Sequence, residues 1–129
     1  MDIAIEPADV VAGWGFGTGV DDFGLISTVA TDSAGNVFVL SRTPNGVMHR
    51  FAPDGRWLGD WDVRFLAPHG LWVAPDDRVF VTDTEDHTVF IFDREGNLLQ
   101  TIGTPGQRGG SGLPFDMPTR AVRGLSGDI

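Results

Sequence analysis

The chain contains no cysteine, which excludes disulfides, thiolate metal sites and cysteine nucleophiles. It has no tyrosine, and its nine basic residues are all arginines. Without lysine there is no Schiff-base chemistry and no phosphate-loop lysine. Basic charge is scarce: 18 acidic side chains against 9 basic ones give a net charge of −9 over 129 residues. Phosphate binding needs a basic face, so nucleic acid is not expected as a partner. No apolar run approaches the roughly 20 residues of a membrane-spanning helix, so no membrane partner is expected. The N-terminal "MDIAIEPADVVAGWG" carries Asp2, Glu6 and Asp9 where a signal peptide needs positive charge. The expected location is therefore cytoplasmic, unless a leader precedes this sequence. What the chain has in excess is glycine, 18 residues, about twice the usual share, with eight prolines beside it. Turns must be many.

The organising feature is an internal repeat. Residues 29–61, "VATDSAGNVFVLSRTPNGVMHRFAPDGRWLGDW", align with residues 71–103, "LWVAPDDRVFVTDTEDHTVFIFDREGNLLQTIG". Val29 matches Leu71, and Phe51 matches Phe92 after one slipped residue. A third copy starts at Pro118, where "PTRAVRGLSGDI" follows "PHGLWVAPDDRV". A remnant of an earlier fourth strand is expected in "VVAGWG", residues 10–15. In the second unit the alternation predicts strands at Gly70–Val73, Val79–Asp83, Thr88–Asp93 and Leu98–Ile102. The turns between them are rich in Pro, Asp, Gly and Asn. Four short strands at this spacing are the pattern of a β-propeller blade.

The expected fold is thus all-β, with two full four-stranded blades, partial flanking strands, and a third repeat starting at 118 and cut at 129. Propellers typically close with about 4–8 blades. The chain is therefore expected to be part of a longer protein, its two end faces to meet water or another chain, and the isolated chain to self-associate.

The repeat resembles the NHL type through "FAPDGRWLGDW", "FDREGNLLQTIG" and "PHGLWVAPDDRVFVTD". The order "VATDSAGNVFVLSR", then "PHGLWVAPDDRVFVTDTEDHTVFIFDREGNLLQTIGTPG", then "FDMPTRAV" is similar to the peptidyl-α-hydroxyglycine α-amidating lyases, which are six-bladed propellers. That resemblance implies a zinc ion held by three histidines, a tyrosine base, an assisting arginine, and products of peptide amide and glyoxylate. Carried over onto this chain, it makes His69 a zinc ligand and Arg42 an active-site arginine. It makes Val29 and Leu71 backbone-carbonyl ligands of a structural calcium. The implied partner is a peptide substrate. The family's tyrosine and its other two histidines have no counterpart in these 129 residues, so the chain alone is expected to be inactive. The alternative is a non-enzymatic propeller that binds a protein or ligand.

The residues by themselves point less far. His69 stands where the other units have Ser27 and Thr119, so packing does not demand a histidine there. Zinc takes three or four protein ligands, and one histidine cannot supply them. An arginine at a strand end, such as Arg42, can grip a carboxylate bidentately or be a solvated loop residue. His49 is expected among exposed positions on the third strand of the first unit, and His87 to make a hydrogen bond across its blade. The pairs Asp21-Asp22 and Asp76-Asp77 read as turn residues. The loop "GQRGGSG" reads as a flexible connection, and the four tryptophans as packing between blades.

Overall fold

The computed structural model describes residues 7–15, 17, 19–109 and 114–129. Part of the "GQRGGSG" loop, 110–112, lies outside the described residues. Eight strands form two antiparallel sheets, and no helix occurs among the described residues. Blade 1 is β1 (Leu25–Thr31), β2 (Val37–Thr43), β3 (Val47–Phe51) and β4 (Trp57–Asp60), paired in that order. Blade 2 is β5 (Pro68–Val73), β6 (Val79–Asp83), β7 (Thr88–Phe92) and β8 (Leu98–Ile102). β6 and β8 have the bounds that alternation predicts.

Alternation also decides the faces, because successive side chains point to opposite sides of a strand. Val79 and Val81 pair with Phe92 and Phe90 and face blade 1. There they meet Phe38, Leu40 and Met48 from blade 1, with Trp61 and Phe65 from the connection. Trp61 lies 5.9 Å from Phe38 and 4.9 Å from Phe92, ring centre to ring centre, and so ties the two sheets. Phe80, Val89 and Ile91 turn the other way and form a second cluster with Trp72, Phe115 and Ala121.

The outer faces are not bare, contrary to expectation. Phe51 and Val39 on the far side of blade 1 are 0% and 4% exposed. The N-terminal segment returns over this face: Trp14 and Phe23 stack against Phe51 at 5.2 and 5.8 Å. At the other end Phe80 and Ile91 are each 2% exposed, beneath Trp72 and the segment from 115 onward. Residues 10–15 form turns and no strand, and 118–129 form no ladder. These segments cover by side-chain contact rather than by pairing.

The repeat persists where ladders do not. Between strands one and two, the Asp32 amide donates to Asn36 O and the Gly35 amide to Asp32 O. The same pair of bonds joins Ala74 to Arg78 and Asp77 to Ala74, and again Gly124 to Asp128 and Gly127 to Gly124. The equivalent third positions all have positive φ: Gly35 at 79°, Asp77 at 62° and Gly127 at 92°. Glycine tolerates this at no steric cost; Asp is among the few other residues that do so. The Asp77 carboxylate then accepts from the amide and hydroxyl of Ser33, at 2.8 and 2.6 Å, linking blade 2 to blade 1.

Candidate functional site

The first strand of each blade is interrupted by a bulge. In β1 the pairing slips between Ile26 and Thr28, and in β5 between Pro68 and Gly70. The skipped residues are Ser27 and His69, the equivalent positions of the two repeats. A bulge takes a residue out of the ladder and re-aims its side chain, and such devices cluster beside active sites.

These positions are joined in series. The Ser27 hydroxyl donates to the His69 carbonyl at 2.7 Å. His69 Nδ1 lies 3.1 Å from the carbonyl of Thr119, the equivalent residue of the third unit. A carbonyl can only accept, so Nδ1 carries a proton, and in the neutral ring the lone pair is on Nε2. His69 is exposed. A histidine fixed in this way, one nitrogen held by a backbone carbonyl and the other open, is prepared as a metal ligand or a general base. Gly70 makes the approach possible: a Cβ there would lie 2.5 Å from Thr119 O.

The three units enclose a shallow cavity of about 380 Å³, lined by Ser27, Thr28, His69, Gly70, Thr119 and Arg120. Val29 and Leu71 complete its wall. The structure thus brings together His69, Val29 and Leu71, three of the residues singled out from sequence. Arg42 does not line this cavity. It lies within β2, between Ser41 and Thr43, which pair with Ile26 and Leu25 at the start of β1. It is half-buried, and it has no hydrogen-bond or ion-pair partner among the described residues.

The implied metals can be tested against these residues. Among the described residues no group of three or more His, Asp or Glu is placed to hold an ion. His69 fits as one zinc ligand by its tautomer and exposure, and the remaining ligands have no source among the described residues. Calcium takes about 6–8 oxygens. Val29 and Leu71 bring two carbonyls, and no carboxylate lines the cavity. The donors among the described residues are therefore too few to hold either ion by themselves.

The other two histidines serve elsewhere. His87 sits in the β6–β7 turn with φ of 55°, and its Nδ1 accepts from the Met117 amide at 3.0 Å, so its bond reaches the connecting loop. His49 is buried, which corrects the expectation of an exposed position. Its Nδ1 is 2.7 Å from Asp60 and its Nε2 is 3.0 Å from Ser41 Oγ. The register explains this: His49 stands opposite Asp60 on β4, and Phe23 covers its ring from the edge at 5.4 Å. The Ser–His–Asp order is that of a nucleophilic relay, but Ser41 is 2% exposed. With no room for a substrate at its Oγ, the trio acts as a polar pin across β2, β3 and β4.

Arg120 escapes sequence reading. Its one signal is a register position that holds Thr28, Gly70 and Arg120 in the three units, three residues of unrelated character.

Residues 65–92 match the family model of the NHL repeat, a span that holds β5, β6 and β7 with His69 and His87. The chain carries an NHL repeat. NHL repeat-containing protein 3 of Homo sapiens is 31% identical over 117 residues, covering 82% of this chain and 34% of the relative. NHL repeat-containing protein 3 of Mus musculus is 35% identical over the same shares. Peptidyl-alpha-hydroxyglycine alpha-amidating lyase 1 of Drosophila melanogaster is 31% identical over 135 residues, covering 82% of this chain and 25% of the relative. The chain thus spans about a third or less of the length of these relatives. The NHL repeat and the two antiparallel blades together make this an all-β, NHL-type propeller region.

Proposed function

We propose that these blades belong to a zinc-dependent propeller of the amidating-lyase type and supply part of its active site. The observation that carries this reading is His69: lifted out of its ladder by a bulge, held at Nδ1 by Thr119 O, and open at Nε2. In this reading Nε2 is one of the zinc ligands, and the Val29 and Leu71 carbonyls face a structural calcium. Arg42, a cation without a partner, assists. Zinc, when bound, supplies Lewis-acid polarisation of the substrate hydroxyl. The chain's own part is to fix the tautomer of His69 and to wall the cavity. The similarity to the Drosophila lyase supports the reading.

Alone, the chain has one zinc-ligating histidine and no tyrosine, so we expect no appreciable turnover from it. A polypeptide carrying these blades with further ones should release glyoxylate from a peptidyl-α-hydroxyglycine in the presence of zinc. His69→Ala should abolish the release. Glyoxylate production by the 129-residue chain, or unchanged turnover after His69→Ala, would overturn the assignment.

A second reading is supported by the NHL repeat-containing relatives, which align over the same 82% of the chain. In it the propeller is a non-enzymatic scaffold whose partner is a protein. Zinc binding without glyoxylate release in the longer polypeptide would favour this reading.

A further inference from the structure

An acidic protein normally leaves few cations unpaired. Here Arg50, Arg64, Arg78, Arg94, Arg108 and Arg123 each hold a carbonyl or a carboxylate. Among the described residues three arginine side chains have no such partner: Arg42, Arg56 and Arg120. Arg120 lines the His69 cavity, and Arg42 and Arg56 do not. The cavity contains no Asp or Glu to neutralise it. Its other polar side chains, Ser27, Thr28, His69 and Thr119, can all serve as hydrogen-bond donors or as neutral partners. The Arg120 backbone packs closely against Gly70, its Cα 2.9 Å from the position a Cβ there would take. A guanidinium without a partner, in a pocket lined by no acid, has the chemistry to receive an anion. Its planar fork matches a carboxylate in two parallel hydrogen bonds.

We infer that Arg120 is the carboxylate-binding residue of this cavity and that it receives the terminal carboxylate of a peptide beside His69. The subsite itself follows from the cavity; the choice of a peptide as the carboxylate's carrier rests on the lyase reading. Under that reading Arg120 holds the group that departs with glyoxylate. It would then distinguish substrate from peptide amide, which has lost that charge.

The test uses the 129-residue chain and two stable probes, N-acetyl-Phe-Gly with a free carboxylate and the same dipeptide as its amide. Binding is followed by nuclear magnetic resonance shifts of the Gly70 and Leu71 amides and the Arg120 side chain. The acid should give saturable shifts with a dissociation constant on the order of 1 mM, and the amide none. Arg120→Gln should weaken binding by about tenfold or more, the loss of a charge-assisted pair. Arg120→Lys should fall between, keeping the charge and losing the fork. Arg56→Gln, also exposed and unpaired, should bind as the parent does. Equal shifts from acid and amide, or acid binding unmoved by Arg120→Gln in a chain that still melts cooperatively, would overturn the inference. Carboxylate binding that depends on Arg120, in a longer polypeptide that yields no glyoxylate, would keep the subsite and remove the lyase reading.

Discussion

The two blades answer one structural problem in different ways. Where β2 runs into its turn, blade 1 has Ser41; at the matching end of β6, blade 2 has Asp83. Both are buried. Ser41 is satisfied within its own sheet, through His49 and then Asp60 on β4. Asp83 reaches into loops, accepting from the amides of Leu66 and Ala67 before β5 and of Asp86 in the following turn, at 2.7, 3.0 and 3.2 Å. The serine solution stiffens the outer strands of blade 1. The aspartate solution fixes the segment that leads into β5, directly upstream of the His69 bulge. The blade that carries the candidate ligand is thus the one whose approach is anchored by a buried carboxylate.

The largest effect is expected at Asp83. Asp83→Ala leaves three amides without their acceptor, one of them in a buried segment. Hydrogen bonds to charged groups contribute about 1.5–3 kcal/mol each, and water recovers part of that at the Leu66 and Asp86 amides, which are less buried than that of Ala67. The expected loss is about 3 kcal/mol, or a melting temperature lower by roughly 10 °C. Ser41→Ala removes one neutral bond and should cost about 1 kcal/mol. Thermal melts of both variants check the ranking; equal losses would mean that the two slots are not energetically distinct.

His49 sharpens it further. The second unit places Phe90 at the matching position, so an apolar ring is compatible with the repeat. His49→Phe should cost about 1 kcal/mol: Asp60 is partly exposed and keeps the Trp57 indole as donor at 3.2 Å, while the buried Ser41 hydroxyl loses its partner. His49→Ala should cost about 2 kcal/mol, since it opens a hole against Phe23. If denaturant titration finds the two variants equally unstable, the polar pin matters more than the packing.

A smaller effect is expected at Gly70. A methyl group there would meet Thr119 O at 2.5 Å and Thr82 Oγ1 at 2.7 Å. Gly70→Ala should cost about 1–2 kcal/mol. Much of the shift should fall on the third unit, which can move more freely than β6. Faster amide exchange at 119–121, with β6 still protected, is the expected signature. Uniform loss of protection would show that the third unit is not a separable lid.

Strand positions were legible wherever alternation was closed by turn residues, as in β6 and β8. β5 starts earlier than alternation suggests because the bulge lets Pro68 pair with Asp83. The position of His69 in the repeat was legible; its tautomer was not, because that depends on a carbonyl 50 residues away. The burial of His49 could not be read from its residue type. It depends on register with β4 and on Phe23, which belongs to an irregular segment without periodicity. Coverage of the end faces was hidden for the same reason: the returns that bring Trp14 and Phe23 over Phe51 leave no pattern in the chain.

The smallest expected effect concerns acid. The pattern Asp-x-x-Gly-Asn occurs twice, at Asp32–Asn36 and Asp93–Asn97, in different turns of the two blades. Asp93 accepts from the Glu95 and Asn97 amides at 3.0 and 2.9 Å and from the Asn97 side chain at 2.8 Å. Burial raises its pKa, and the bonds from Asn97, Glu95 and Gly96 outweigh that, holding the carboxyl below its ordinary 3.8. Asp76 is lowered in the same sense, burial opposing and the Arg123 hydrogen bond prevailing. A depressed folded-state pKa means that the unfolded chain binds protons first on acidification. The stabilisation is therefore fully present above the unfolded value near 3.8 and is lost as pH falls through the folded one. Because the turn is solvent-screened, Asp93→Asn should cost only a few tenths of a kcal/mol at neutral pH. That gap should close as the pH drops from about 5 to about 2. Chemical denaturation of both proteins across that range is the check, and a gap that stays constant to the acid end would show that the Asp93 turn stabilises blade 2 by geometry rather than by charge.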